Sequence, residues 1–288
     1  MTIDELILIH DSEPTVVATA LRSFAIDGVA SSDLVRYAWL VNHVIGEKLG
    51  AWYEALDLHH RISMESRDIA VFRHLAVAAS IAGAPIEAWT IETQLAEEAQ
   101  ASVEAARAAV RFGVLQFAPE NISPIELARV FCACLKDIAA DQPIGKLGPI
   151  LAGSLNNVVS KLLDHPSAPT EEIVYRQALS DGAQICRKIW QGAGNWMNHE
   201  RADYLVALCC NKLEDWAGAR DAAQSGLKTI DANGSEDVDR AFLLLELGRA
   251  WRGLGDETQR ATVRTQALEL SKGFDDELRK WFASRAQA

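Results

Sequence analysis

Seven histidines and five cysteines are the side chains with the widest chemical reach in this 288-residue chain. His59 and His60 are adjacent, and His43 and His74 fall on neighbouring predicted helices, giving one concentration of imidazoles. A metal would need neutral imidazoles converging with carboxylates or thiolates. Adjacent residues of a helix point about 100° apart, so only one of His59 and His60 can face inward. The reading is helix packing or a solvated surface, with no metal and no cofactor. His199-Glu200 lacks the second histidine of a zinc-protease helix. Asp275-Asp276-Glu277 could chelate magnesium only with a partner run. At the start of the last predicted helix it complements the macrodipole instead. No phosphate-cradling Gly-x-x-x-x-Gly-Lys loop occurs, and no Gly-x-Gly-x-x-Gly follows a strand. No catalytic residue is assigned.

The cysteines are odd in number and carry no framework spacing, which argues against a secreted disulfide scaffold. Cys132 and Cys134, like Cys209 and Cys210, diverge on a helix and read as buried free thiols.

A recognition surface is the better candidate. Arg201, Tyr204, Asn211 and Lys212 share one predicted helix, and Phe242, Leu245, Arg249 and Arg252 share another. Four cations on such a face could grip a carboxylate or an acidic peptide, the arginine forks making bidentate contacts. The same side chains also read as surface cations paired with Glu246, Asp215 or Asp256. In the N-terminal half, Tyr37, Leu40, Val44, Val77 and Ile81 form an apolar stripe that reads as core. Left exposed, it would mark a partner or dimer interface.

The net charge of −12, from 40 acidic and 28 basic residues, opposes binding to nucleic-acid phosphates and to anionic lipid. No apolar run approaches the ~20 residues of a membrane span, and the acidic start lacks the basic region of a signal peptide. These features predict a cytoplasmic protein with no membrane or nucleic-acid partner.

The elements that must hold these residues are helices. Apolar residues recur at helical spacing, Ala, Leu, Glu, Arg and Gln dominate, and strand signals are scarce. The spacing predicts helices near 2–10, 14–26, 33–48, 52–63, 67–82 and 86–111. Others follow near 124–140, 148–164, 170–191, 199–213, 216–230, 236–253, 257–271 and 275–285. Ser123-Pro124-Ile125-Glu126 reads as a capping box. Short connections predict antiparallel neighbours. The chain reads as a single helical domain over 1–288, with a subdomain joint within 112–170, where Gln142-Pro143, Gly148-Pro149 and Pro166 to Pro169 cluster.

Four turns repeat one plan: Leu49-Gly50-Ala51-Trp52, Ala82-Gly83-Ala84-Pro85, Leu213-Glu214-Asp215-Trp216 and Leu254-Gly255-Asp256-Glu257. The first two turn glycines are 83 − 50 = 33 residues apart, and Glu214 and Gly255 are 255 − 214 = 41 apart. Small residues pair across the last three turns: Ala76 with Ala88, Ala207 with Ala219, Gly248 with Ala261. Neither helix pair can bury its apolar face alone, so several must stack.

On these residues the chain resembles the tetratricopeptide-repeat family, most clearly over 33–100 and 200–272. Phe72, Leu75, Ala76, Gly83 and Ala88 occupy the family's positions in the second unit. Ala207, Leu213, Asp215, Trp216, Ala219 and Leu227 do so in the third, and Leu247, Gly248, Trp251, Gly255, Asp256, Ala267 and Leu268 in the last. In the first, Trp39, Leu49, Gly50 and Ala55 match, while Asn42 and His43 stand where Leu and Gly are usual. The resemblance implies an all-α superhelix of stacked antiparallel helix pairs whose first helices line a concave groove. It implies a scaffold or adaptor binding a protein or peptide segment, here through Arg201, Tyr204, Asn211, Lys212, Phe242, Arg249 and Arg252. The Lys/Asn/Arg clamp of chaperone-binding members is not matched. Two other readings stay open: an all-helical enzyme with its site between the halves near 112–200, and a structural homo-oligomer.

Overall fold

The computed structural model describes all residues except 64, 66, 118–121, 139–142 and 288. Every regular element among the described residues is helical. The chain runs through α1 (Ile3–Ile9), α2 (Pro14–Ser23), α3 (Ser31–Leu40), α4 (Trp52–His60), α5 (Ile69–Ile81), α6 (Pro85–Ala99) and α7 (Val103–Gln116). It continues through α8 (Pro124–Leu135), α9 (Gly148–Leu163), α10 (Ile173–Ala193), α11 (Trp196–Lys212) and α12 (Trp216–Asn233). The last three are α13 (Asp237–Gly253), α14 (Glu257–Ser271) and α15 (Asp276–Gln287). Two compact units form, one from residues 1–123 and 133–154, the other from 124–132 and 155–288.

The repeated turns have one geometry. Gly50, Gly83 and Gly255 sit at φ 68, 78 and 79°, and Glu214 takes the same left-handed conformation at φ 61°. The residues that follow, Ala51, Ala84, Asp215 and Asp256, cap the next helix at φ between −104 and −83° and ψ between 57 and 82°. In three of the turns the capping N–H returns to the carbonyl five residues earlier: Ala84 to Ala79 (2.9 Å), Asp215 to Cys210 (2.9 Å) and Asp256 to Trp251 (3.0 Å). That bond satisfies a carbonyl the helix end would orphan, and a left-handed residue is what lets the chain reach it. In the first turn Ala51 reaches Ile45, six back (2.9 Å). The extra residue is accounted for by the π-helix, Val41–Lys48, that continues α3.

In the second unit α10 to α14 pack in sequence order, each against the next, and α15 lies on α13. The seams are narrow because of small residues. Ala207 and Ala219 are fully buried, and a Cβ at Gly226 would come within 2.9 Å of Leu243. In the last pair Gly248 faces Val263, while Ala261, the expected small partner, is exposed.

In the first unit the stripe of Tyr37, Leu40, Val44 and Val77 is wholly buried and Ile81 half-buried. It is core. A polar knot sits within it: Asn42 donates to the His74 carbonyl (2.9 Å), and its Oδ1 meets His59 Nε2 at 2.8 Å. His59 Nδ1 has no partner among the described residues. Burial, with Arg67 and His60 adding to it, pushes the His59 imidazole down to about 3, so it is neutral. His60 points outward to Glu87 (2.5 Å), as the helical offset requires.

Three sequence expectations need correction. The helix expected over 86–111 is two, broken where Gln100 turns left-handed (φ 54°) and Ser102 caps α7 through Ala105 N–H (3.1 Å). Ser123 and Pro124 do open α8, but the serine side chain makes no capping bond. The helix expected from 170 starts at Ile173, with Glu172 at its cap. The expected end of α8 at 140 falls outside the described residues.

Candidate functional site

In the second unit a groove of about 530 Å³ opens between the C-terminal end of α9, the helices α11 and α13, and α15. Its position follows from helical spacing: Tyr204, Leu208, Asn211 and Lys212 recur every three or four residues on α11, as do Glu246, Arg249 and Arg252 on α13. Five of the seven residues singled out from sequence therefore line one cavity: Tyr204, Asn211, Lys212, Arg249 and Arg252.

The other two do not. Arg201 is exposed outside the groove, bound to Asp239 (3.0 Å) and within 3.5 Å of Glu200. Phe242 is 4% exposed, which overturns its reading as a groove contact. The cause is α15, whose Trp281 and Phe282 cover the Phe242 ring at centroid distances of 4.4 and 5.4 Å. Leu245 is buried as well. An apolar ring on a first helix is open only if nothing later docks on it.

Within the groove two kinds of polar residue separate. Glu246, 2% exposed, is fully engaged. Asn211 Nδ2 donates to its Oε2 (2.8 Å) and carbonyl (3.0 Å), and Arg249 Nη1 donates to its Oε1 (2.6 Å). Arg249 Nη2 also donates to the Arg285 carbonyl (2.5 Å), and Arg285 reaches Asp164 (3.2 Å). This network ties α11, α13, α15 and the end of α9 together, and it satisfies a buried carboxylate that would otherwise be costly. Asn211 and Arg249 are thus structural. By contrast Lys212 and Arg252 are exposed and neither has an ion-pair partner among the described residues.

The groove carries four cations (Lys212, Arg249, Arg252, Arg285) against two acids (Asp164, Glu246), an excess of 4 − 2 = 2 positive charges in a chain of net −12. Tyr204, Trp216 and Trp281 supply aromatic wall. Burial holds the Tyr204 phenol well above its ordinary range, so it stays a neutral donor. A smaller cavity of about 280 Å³ adjoins it, sharing Arg249, Arg252 and Arg285 and adding Arg260 and Arg264. Sequence reasoning missed Trp281 and Arg285. Their helix was predicted, but nothing in a single sequence says where it docks.

The remaining sequence candidates are resolved into structure. Asp275 caps α15 through the Leu278 N–H (2.9 Å), and Asp276 pairs with Arg279 (3.2 Å). Glu200 is wholly buried, and burial followed by the nearby Asp239 pushes its carboxyl up to about 9, against the opposing pull of Arg201. Cys134, Cys186 and Cys209 are buried and Cys132 and Cys210 half-buried, and none of the five is in a disulfide among the described residues. No described helix is long and apolar enough to cross a membrane.

No protein-family model matches the chain, and no curated protein does. Among solved structures it is similar to a tetratricopeptide repeat protein from Parabacteroides merdae ATCC 43184, at 14% identity over 99% of this chain and 97% of that one, with a TM-score of 0.29.

Proposed function

We propose that the protein is an interaction scaffold whose second unit binds an acidic peptide or protein segment in the groove between α11, α13 and α15. One observation carries the reading: two exposed cations without ion-pair partners among the described residues, Lys212 and Arg252, flank an aromatic-walled groove in an otherwise acidic chain. Cations lacking internal partners keep their charge available to a ligand, and the groove's surplus of positive charge steers an acidic segment against the repulsion of the rest of the surface. Trp216 and Trp281 provide the rigid contact area that anchors peptide side chains at low entropic cost. The stacked α-hairpins support the same reading, because such arrays present side chains from successive first helices along one extended surface. The net charge of the chain argues against a nucleic-acid ligand.

The test is an array of acidic and basic peptides carrying one aromatic residue, probed with the tag-free protein and with Lys212→Glu/Arg252→Glu. Neither side chain holds the fold together, so the variant should keep its helical circular dichroism and its stability. Acidic peptides bound by the wild type should weaken by about 10-fold or more in the variant, and more at low than at high salt. An unchanged set of bound peptides would remove the groove assignment.

A further inference from the structure

We propose that His10, Asp11 and His43 form a binding site for one divalent ion of the zinc class, in the first unit and independent of the groove. The three side chains come from the turn after α1 and from the π-helical continuation of α3. One ligand atom from each lies within 4.8 Å of the other two. His10 Nε2 is 3.4 Å from Asp11 Oδ2, and His43 Nε2 is 3.7 Å from Asp11 Oδ1. Ligands about 2.0–2.1 Å from a tetrahedral zinc are roughly 3.3 Å apart, so small side-chain motions would close the site.

The remaining ring nitrogens supply the stronger argument. His10 Nδ1 lies 2.5 Å from the Ile7 carbonyl, and His43 Nδ1 lies 2.6 Å from Glu47 Oε2. In the tautomer that donates from Nδ1 to each of these acceptors, Nε2 carries the lone pair and faces Asp11. A carbonyl or carboxylate behind the ligating imidazole is the arrangement that fixes ring orientation and raises basicity in metal sites. Trp39 holds both rings: it stacks on His43 at 5.1 Å and meets His10 edge-on at 5.2 Å. Lys48 donates to Asp11 Oδ1 (2.7 Å). It leaves Oδ2 for the ion, and the charges of Asp11 and Glu47 exceed its own.

Two imidazoles and one carboxylate suit zinc, copper or nickel better than magnesium or calcium, and three protein ligands leave a position for water. The π-turns matter here, because they shift the side-chain register after Leu40, as such turns do at many functional sites.

The test is calorimetric titration of zinc chloride into tag-free, chelator-stripped protein, with cobalt(II) absorption reporting the coordination geometry. The expected result is one ion per chain at micromolar affinity, a tetrahedral cobalt spectrum, and a weakening of about 10–100-fold in His43→Ala, His10→Ala and Asp11→Asn. His60→Ala, whose side chain pairs with Glu87 elsewhere, should bind as the wild type does. Asp11 is exposed, so Asp11→Asn tests the site even where a histidine change disturbs folding. Absence of stoichiometric uptake by the wild type would overturn the proposal. So would uptake undiminished in His10→Ala/His43→Ala.

Discussion

Gly253, the last residue of α13, decides how closely the two C-terminal hairpins approach. A Cβ placed there would lie 2.1, 2.4 and 2.6 Å from Cδ2, Cγ and Cε2 of Trp216. Carbon atoms rest at about 3.5–4.0 Å, so the indole would have to retreat by roughly 1.4 Å. Gly253→Ala therefore sets two effects against each other. Replacing a helical glycine by alanine gains about 1 kcal/mol from backbone entropy and propensity. Driving Trp216 off the seam costs about 1–3 kcal/mol in overpacking and lost contact. The steric effect wins, and the variant should be less stable than the wild type by up to about 2 kcal/mol. Gly153, inside α9, is the matched control, since a Cβ there meets nothing within 4 Å. Gly153→Ala should be neutral or stabilising by about 0.5–1 kcal/mol. Urea unfolding followed by far-ultraviolet circular dichroism separates them. Because Trp216 lines the groove, Gly253→Ala should also change peptide binding, whereas Gly153→Ala should not. If Gly253→Ala matched the control in both stability and binding, the close-approach reasoning would be refuted.

Two pH effects follow from buried ionisable groups. Glu200 keeps its proton to about 9 in the folded chain but loses it near 4.5 when unfolded, so the unfolded state binds fewer protons between those values. Stability should decline as pH rises through that window, and Glu200→Gln should flatten the decline between pH 6 and 9 in urea midpoints; a slope identical to the wild type would refute it. His59 runs the other way. It is neutral when folded down to about 3 and charged below 6.5 when unfolded, so its contribution is lost as pH falls from 6.5 toward 3. At 1.36 kcal/mol per unit this amounts to about 3 kcal/mol by pH 4.5. The His59 ring resonances should show no titration above pH 4.5, and a midpoint near 6.5 would contradict the buried, neutral assignment.

Most of the secondary structure could be read from the sequence because its punctuation is local. Gly50, Gly83 and Gly255 mark left-handed turns by their residue type, and Glu214 could be placed by analogy with them. The break at Gln100 carries no glycine, proline or asparagine, so the helical pattern ran straight through it. The π-turns after Leu40 were equally silent, since the apolar spacing around Val41, Val44 and Ile45 suits either kind of helix. For the groove, periodicity sufficed to bring Tyr204, Asn211 and Lys212 to one side of α11 and Arg249 and Arg252 to one side of α13. What periodicity cannot carry is docking between distant elements. Phe242 was misread because α15, some forty residues on, lies over it, and Arg285 and Trp281 went unnoticed for the same reason. His43 was grouped with His59 and His60 by proximity in the chain, whereas space pairs it with His10.

The docking of α15 also bears on how the array could grow. A solenoid end that presents a bare first helix invites another copy to continue it, and open-ended addition of that kind leads to filaments. Here Phe282 is buried against Phe242 of α13 and Phe274, while charged residues such as Arg279 stay exposed on α15. With the Phe242 ring covered by Trp281 and Phe282, that aromatic surface of α13 is spent on the chain's own packing rather than offered to another molecule.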